Sequence, residues 1–188
     1  MGVIHQAAGL NEAGQGSEFS GEDPSSRGDI GIAPAGAGDL DALVRLEERA
    51  FAGDRLSRRS LRRFAAKRNG LLLVARCGGQ VAGYVLVLMR KGSQRARLYS
   101  IAIDGARRGR GIGQALLGAG ELSARRAGAG SIYLEVRADN ESAIALYRKT
   151  GYRQFATIDG YYHDGAMALR LEKALADGAA DRKGRDLT

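Results

Sequence analysis

Residues 107–114, Arg107-Arg108-Gly109-Arg110-Gly111-Ile112-Gly113-Gln114, place glycines and arginines between a β-rich run and an amphipathic helical pattern. The first turn of a helix exposes unpaired N–H groups and the positive end of the helix dipole. Glycines let the backbone close on a diphosphate so that those amides donate to its oxygens. Arg108 and Arg110 can add charge-assisted contacts. Three other uses of such a segment fit less well. A dinucleotide fingerprint wants Gly or Ala at its last position, where Gln114 stands, and the preceding strand opens no βαβ repeat. A nucleoside-triphosphate loop wants a following Gly-Lys-Ser/Thr, which is missing. Arg-Gly runs that bind RNA usually lie in disordered segments, not between a strand and a helix. By itself the segment is either a phosphate-binding helix start or an ordinary glycine-rich loop.

A second group of polar residues lies downstream. Ile132, Leu134 and Val136 alternate along a strand, which leaves Tyr133, Glu135 and Arg137 on its other face. Glu135 there suits either a general base or a partner for an arginine. Asn140 or Asp139 can cap the next helix, which ends at Thr150-Gly151. If Gly151 is the C′ glycine, Tyr147 and Tyr152 take the positions whose side chains touch in a Schellman cap. A phenol of pKa ~10 can also pass a proton to a departing alkyl thiolate of pKa ~8.5 when hydrogen-bonded to it.

The elements that must hold these groups follow from periodicity. Ile30 and Ile32 start a short strand, and Leu40, Leu43, Val44, Leu46 and Phe51 recur at near-helical spacing. Ser57 caps a second helix carrying Leu61, Phe64 and Ala65 on its apolar side. Strand patterns at 71–75 and 81–89 flank the hairpin signal Gly78-Gly79, and a third strand spans 97–103. The helix after the glycine turn buries Ile112, Ala115, Leu116, Ala119 and Leu122; strands at 152–157 and 166–171 close the chain. The order is β-α-α-β-β-β-α-β-α-β-β. A folded body at 29–173 is expected between a flexible tail at 1–28 and a polar tail at 174–188.

Composition sets outer bounds. The chain has 188 residues, 44% hydrophobic and 27% charged, as in a soluble single domain. A lone cysteine, Cys77, excludes an internal disulfide framework. No stretch approaches the ~20 apolar residues of a membrane span, and residues 1–10 lack the pattern of a signal peptide; a cytoplasmic location is expected. No His, Cys, Asp and Glu cluster has metal-ligand spacing, so no metal is expected. The net charge of +8 invites an anionic partner. Nucleic acid is one such partner but not the favoured one, because arginine dominates the basic residues throughout the chain.

Ile101-Ala102-Ile103-Asp104, Arg108-x-x-Gly111-x-Gly113 and the run from Leu134 to Tyr147, followed by Gly151-Tyr152, together closely resemble the GNAT acetyltransferase superfamily. The nearest branch looks like the bacterial ribosomal-protein-alanine N-acetyltransferases. The resemblance covers about 30–172 and is strongest over 96–153. It implies an α/β fold: a mixed, mostly antiparallel twisted sheet of about seven strands flanked by about four helices, splayed between its two central strands. It implies acetyl-CoA as co-substrate. Ile101, Ala102 and Ile103 would pair their backbone with the pantetheine arm. Arg108, Gly109, Arg110, Gly111, Ile112, Gly113 and Gln114 would hold the pyrophosphate, and Asn140 the pantetheine or acetyl region. Glu135 would stand near the acceptor amine as base and Tyr147 would act as acid. Tyr161 and Tyr162 would line the acceptor pocket or pack as strand aromatics. Two departures stand out: Gly105 where relatives usually have Pro, which loosens the turn but removes no donor, and, on the acceptor side, Gly53-Asp54-Arg55-Leu56-Ser57 in place of the Pro-Trp-Ser substrate loop of the ribosomal-protein enzymes.

The acceptor is then a primary amine on a protein, peptide or small molecule. At pH 7 an α-amine of pKa ~7.8 is neutral about a tenth of the time, and lysine at ~10.4 only a few parts in ten thousand. A single carboxylate base therefore suits an N-terminal α-amine best. Lysine, a small-molecule amine, or a non-catalytic acyl-CoA sensor are the alternatives. The Arg55–Arg68 segment, with four-apart arginines sharing a helix face, reads either as a recruiting surface or as a solvated face.

Overall fold

The computed structural model describes residues 5–6, 30–51, 55–66 and 71–175. In chain order the elements are β1 (His5–Gln6), β2 (Gly31–Pro34), α1 (Leu40–Ala50), α2 (Arg58–Ala65), β3 (Leu72–Cys77), β4 (Gln80–Met89), β5 (Arg95–Ile103), α3 (Ile112–Arg126), β6 (Ser131–Arg137), α4 (Glu141–Lys149), β7 (Arg153–Ile158) and β8 (Ala168–Ala174). From β2 onward the order is the expected one; β1 left no mark in the sequence pattern. The tails expected at 1–28 and 174–188 lie outside the described residues, apart from His5–Gln6, Ala174 and the buried Leu175. Among the described residues no helix is long and apolar enough to cross a membrane.

The strands form one sheet in the order β2-β3-β4-β5-β6-β8-β7, with β1 against β5. Gly78 and Gly79 have φ of 58° and 78°, the paired left-handed conformation that closes the β3–β4 hairpin. Every pairing on the main path is antiparallel except β5–β6. Parallel neighbours need a crossover, and α3 supplies it.

Helices cover both faces. Leu40, Leu43 and Leu46 of α1 and Leu61 of α2 pack on Val74, Tyr84, Leu86 and Ala102. On the other face Leu116 and Leu117 of α3 and Ile144 and Tyr147 of α4 pack on Val85, Val87, Ile101, Leu134 and Val136. Strand alternation sends neighbouring β4 residues into different cores, so the strand reads as a continuous apolar run. Helix α3 lies close on β4. A Cβ on Gly120 would meet Val87 Cγ2 at 3.2 Å, and one on Gly83 would meet the Ala102 carbonyl at 2.8 Å and Leu116 Cδ1 at 3.0 Å. Those contacts hold α3 tightly against β4 and leave no room for a larger residue at either glycine.

The β5–β6 ladder is short. It holds Arg95↔Ser131, Ala96↔Ile132 and Arg97↔Tyr133. Beyond that point β5 stays paired with β4 as far as Gly83↔Ile103, and β6 with β8 as far as Arg137↔Ala168. The β4–β5 register shifts between Leu86 and Val87, opposite Ser100 and Leu98, leaving Tyr99 as a bulge where the ladder stops. The facing edges of β5 and β6 thus part along the second half of β5, as the expected splay requires.

Gly83→Ala should lower stability by about 1–3 kcal/mol through overpacking, measured by urea unfolding. Gly31→Ala, whose Cβ would meet nothing within 4 Å, should not lower it.

Candidate active site

The glycine turn lies where β5 hands over to α3. Asp104 Oδ1 accepts from the Ala106 amide at 3.3 Å and opens a single 3-10 turn, Gly105–Arg107. Gly109 and Gly111 have φ of 73° and 75°, and no atom lies within 4 Å of a Cβ built on either. Their requirement for glycine is therefore conformational, not steric. Gly111 caps α3 in the left-handed region and its carbonyl takes the Ala115 amide at 3.0 Å. The amides of Ile112, Gly113 and Gln114 are left at the helix start without intrahelical partners. Arg108, Arg110 and Gln114 are exposed beside them, while the Ile112 side chain is buried and offers its backbone alone.

Ile101, Ala102 and Ile103 likewise offer only backbone. Ile101 and Ile103 enter the α3–α4 core, and Ala102 enters the α1–α2 core. Their polar edge faces the gap left by β6. That edge accepts an extended chain in this structure: β1 pairs parallel to it, His5 opposite Ser100 and Gln6 opposite Ile101. An amide-bearing arm followed by a diphosphate fits this combination of strand edge and helix start.

Glu135 stands on β6 beside the gap, 4% exposed. Arg97 Nε donates to its Oε2 at 3.3 Å, and Arg170 Nε lies 3.3 Å from Oε1 as an ion pair. Arg97 Nη2 donates to the Tyr161 hydroxyl at 3.1 Å. Glu135 and Tyr161 therefore belong to one cluster through Arg97. Tyr162 lies edge-on to Tyr161, with ring centroids 5.2 Å apart, and its ring carries the Arg137 guanidinium at 4.8 Å. Both tyrosines sit in the turn between β7 and β8, which corrects their reading as strand aromatics.

Tyr147 is buried among the α3–α4 core residues, on the sheet face opposite Glu135. The Tyr152 amide donates to its carbonyl at 2.9 Å, the Gly151 amide to that of Arg148 at 3.1 Å, and Gly151 has φ 95°. This is the Schellman cap, and the Tyr147 and Tyr152 rings meet at 5.5 Å. Asn140 Oδ1 caps α4 by accepting from the Ala143 amide at 3.2 Å and the Ser142 hydroxyl at 3.1 Å. Among the described residues no group of three or more His, Cys, Asp or Glu could hold a metal ion.

Sequence reasoning missed the carboxylate of Glu47, 1% exposed on α1. Its Oε2 accepts from the Leu56 amide at 2.7 Å and its Oε1 from the Tyr84 hydroxyl, which in turn lies 2.6 Å from Ser100 Oγ. Burial raises the Glu47 pKa, opposed by the hydrogen bonds from Tyr84 and Leu56. Burial, then Glu47 itself, holds the Tyr84 phenol well above its ordinary range. The signal was present: Glu47 follows Leu40 and Leu43 at the spacing of the helix's apolar stripe.

The model of the acetyltransferase (GNAT) family matches residues 40–152, from α1 through the α4 cap. The chain belongs to that family. Within this GNAT domain the match spans the glycine turn, the interrupted ladder, Glu135 and Tyr147. The N-alpha-acetyltransferase RimI of Mycobacterium tuberculosis is 34% identical over 143 residues, covering 74% of this chain and 89% of that protein. The mycothiol acetyltransferase of Clavibacter michiganensis is 37% identical over 151 residues, covering 76% of this chain but 48% of that protein. The chain spans 38% of another curated relative, a longer protein. The crystal structure of the ribosomal-protein-S18-alanine N-acetyltransferase from Escherichia coli superposes with a TM-score of 0.70 at 26% identity, covering 81% of this chain and 98% of that one. The GNAT domain is an acetyl-CoA-dependent N-acetyltransferase domain, and the glycine turn and the part of the β5 edge that β6 leaves unpaired fit that co-substrate.

Two outcomes are expected. Gly111→Glu, which puts a carboxylate and a strained left-handed residue at the start of α3, should abolish acetyl-CoA binding in titration calorimetry. Glu47 has a folded-state pKa above its ordinary value of 4.5, so its contribution to stability is fully present below that value and is lost as pH rises through the folded one. The unfolding free energy of wild type minus that of Glu47→Gln should therefore fall as pH is raised from 4.5, measured by urea unfolding across a pH series.

Proposed function

We propose that this domain transfers an acetyl group from acetyl-CoA to an N-terminal α-amine of a protein or peptide, by direct attack, with Glu135 as general base and Tyr147 as general acid. The observation that supports this reading is Glu135, buried on β6 just past the end of the β5–β6 ladder, with Tyr147 in the core on the opposite sheet face. Glu135 reaches the gap from the α1–α2 face and Tyr147 belongs to the α3–α4 face. A thioester lying in the gap meets a proton acceptor on the side from which the amine approaches and a proton donor on the side where the thiolate departs.

Each step asks for one group. The amine must be neutral and must lose a proton as it bonds to carbon. Glu135 takes that proton directly or through one water; an ionised carboxylate has about four lone-pair sites, so Arg97 and Arg170 can orient it without filling it. A backbone N–H of the Ile101–Ile103 edge donates to the carbonyl oxygen as charge develops there. Tyr147 then returns a proton to the sulfur. Tyr147 also packs in the α4 cap, and the two roles are compatible because the cap uses its ring and carbonyl, not its hydroxyl.

The acceptor follows from two supports. A lone carboxylate base without a metal favours an amine that is already partly neutral at pH 7, and that is the α-amine. RimI, whose name specifies an α-acetyltransferase, is matched over most of its length, whereas the mycothiol enzyme is matched over half. Tyr161 and Tyr162, next to the Glu135 cluster, would contact the residues that follow that amine.

Glu135→Gln should leave acetyl-CoA affinity unchanged and lower kcat on the order of a hundredfold or more; full activity would remove Glu135 from this role. Mass spectrometry of a native peptide pool incubated with acetyl-CoA and the protein should show acetyl groups on α-amines. Acetylation confined to lysines or small amines would overturn the acceptor assignment.

A further inference from the structure

The Glu47 chain has no part in the chemistry just described, yet it joins the elements that bring the two substrates together. Glu47 lies on α1, Leu56 on the segment entering α2, Tyr84 on β4 and Ser100 on β5. Glu47, Tyr84 and Ser100 are all buried. Ser100 is the residue after the Tyr99 bulge, on the part of the β5 edge that β6 leaves, and it points to the same sheet face as Glu135: its neighbours Leu98 and Ile101 enter the α3–α4 core.

A buried carboxyl group must find hydrogen-bond partners, and replacing any of them leaves a polar atom unsatisfied. Here the partners are the amide of Leu56, at the entry to α2, and a phenol of β4 that also lies against Ser100 of β5. Two carboxyl oxygens with two different partners define a distance, not merely an attachment. We propose that the Glu47–Tyr84–Ser100 chain is a positioning device for the acceptor: it sets the segment at Leu56 relative to the Ser100–Ile101 stretch of β5, so that an amine held by the first meets a thioester held by the second. Glu47 is a positioning residue, acting through Leu56 and Tyr84 and touching neither substrate. The inference rests on the acetyl-transfer reading, because it gives the segment at Leu56 the acceptor side of the site.

The burial of the network supports a fixed geometry. The Tyr84 phenol, held well above its ordinary pKa by burial and by Glu47, stays protonated and keeps donating to Glu47 over the working pH range. Arg55 reinforces the same segment, its Nε donating to the Phe51 carbonyl at 2.6 Å. Arg55 and Leu56 are thus both tied back to the end of α1.

The test uses the full chain with Glu47→Gln and Tyr84→Phe, at temperatures where circular dichroism shows both folded. Coenzyme A affinity is read by calorimetry, kinetics with acetyl-CoA and an acceptor peptide from the mass-spectrometric survey, and hydrogen–deuterium exchange over the peptide containing Leu56. The expected result is faster exchange at Leu56 and a ten- to hundredfold loss in kcat/KM for the acceptor, roughly the cost of misplacing a reactant by about 1 Å. Coenzyme A affinity should stay within about twofold, well below the 1.4 kcal/mol that a tenfold change represents. Glu47→Asp, one methylene shorter, should recover the charge but not the geometry and should remain impaired. Unchanged exchange at Leu56, unchanged acceptor kinetics, or equal losses in coenzyme A affinity and acceptor kcat/KM would overturn the proposal. If wild type binds coenzyme A but acetylates no amine, the acetyl-transfer reading fails, and the acceptor role of the chain fails with it; faster exchange at Leu56 in the variants would then mark the network as structural only.

Discussion

Two parallel strands that stop exchanging hydrogen bonds partway along their length leave a row of backbone donors and acceptors inside a protein, and such a row must be used. Here the β5–β6 ladder ends after Arg97 and Tyr133. Each strand keeps its outer partner, so the opening does not unravel the sheet. The Tyr99 bulge bends β5 at the same point, and the α3 crossover delivers a helix N-terminus to the far end of the opened edge. A ligand that is strand-like at one end and anionic at the other satisfies both features together.

The opening also decides what the flanking side chains can do. With the ladder intact, Glu135 would be one more strand carboxylate paired with arginines. It stands instead just past the end of that ladder, on the sheet face opposite Tyr147. The arginines that hold it, Arg97 and Arg170, come from the strands on either side of β6, so the sheet orients the carboxylate without help from a loop. Dense packing of α3 on β4 through Gly83 and Gly120 keeps the helix start in register with that edge.

The pattern of hydrophobic residues was enough to recover the seven strands of the main sheet and the four helices, because each has one or two buried faces and a recognisable period. The Gly78-Gly79 hairpin, the Ser57 cap and the Gly151 terminus were legible for a related reason: the local backbone demands those residues. Glu47 escaped notice although its place on the apolar stripe of α1 was visible, since its partners Tyr84 and Ser100 lie 37 and 53 positions away in sequence and only the sheet brings them near. The Arg97–Glu135–Arg170 cluster was hidden in the same way, its members coming from three strands. The sequence also left open whether Tyr161 and Tyr162 line the acceptor pocket or pack as strand aromatics; the Ala166 carbonyl, which takes both of their amides, places them in the turn between β7 and β8.

The glycine turn between a strand and a helix, and the Glu135, Asn140 and Tyr147 positions beyond it, are matters of local spacing. The sequence alone therefore determined the family and its acetyl-CoA co-substrate. Local spacing reports on how a backbone meets a phosphate, because a helix start and its glycines are contiguous. It cannot report on which face of a sheet a group stands, or on where a hydrogen-bond ladder ends. Those follow from strand order and register, contacts between residues far apart in the chain. Only the tertiary structure decided that Glu135 and Tyr147 stand on opposite faces of the sheet, and that a buried carboxyl on the first helix is bonded to Tyr84 and through it to Ser100 of β5.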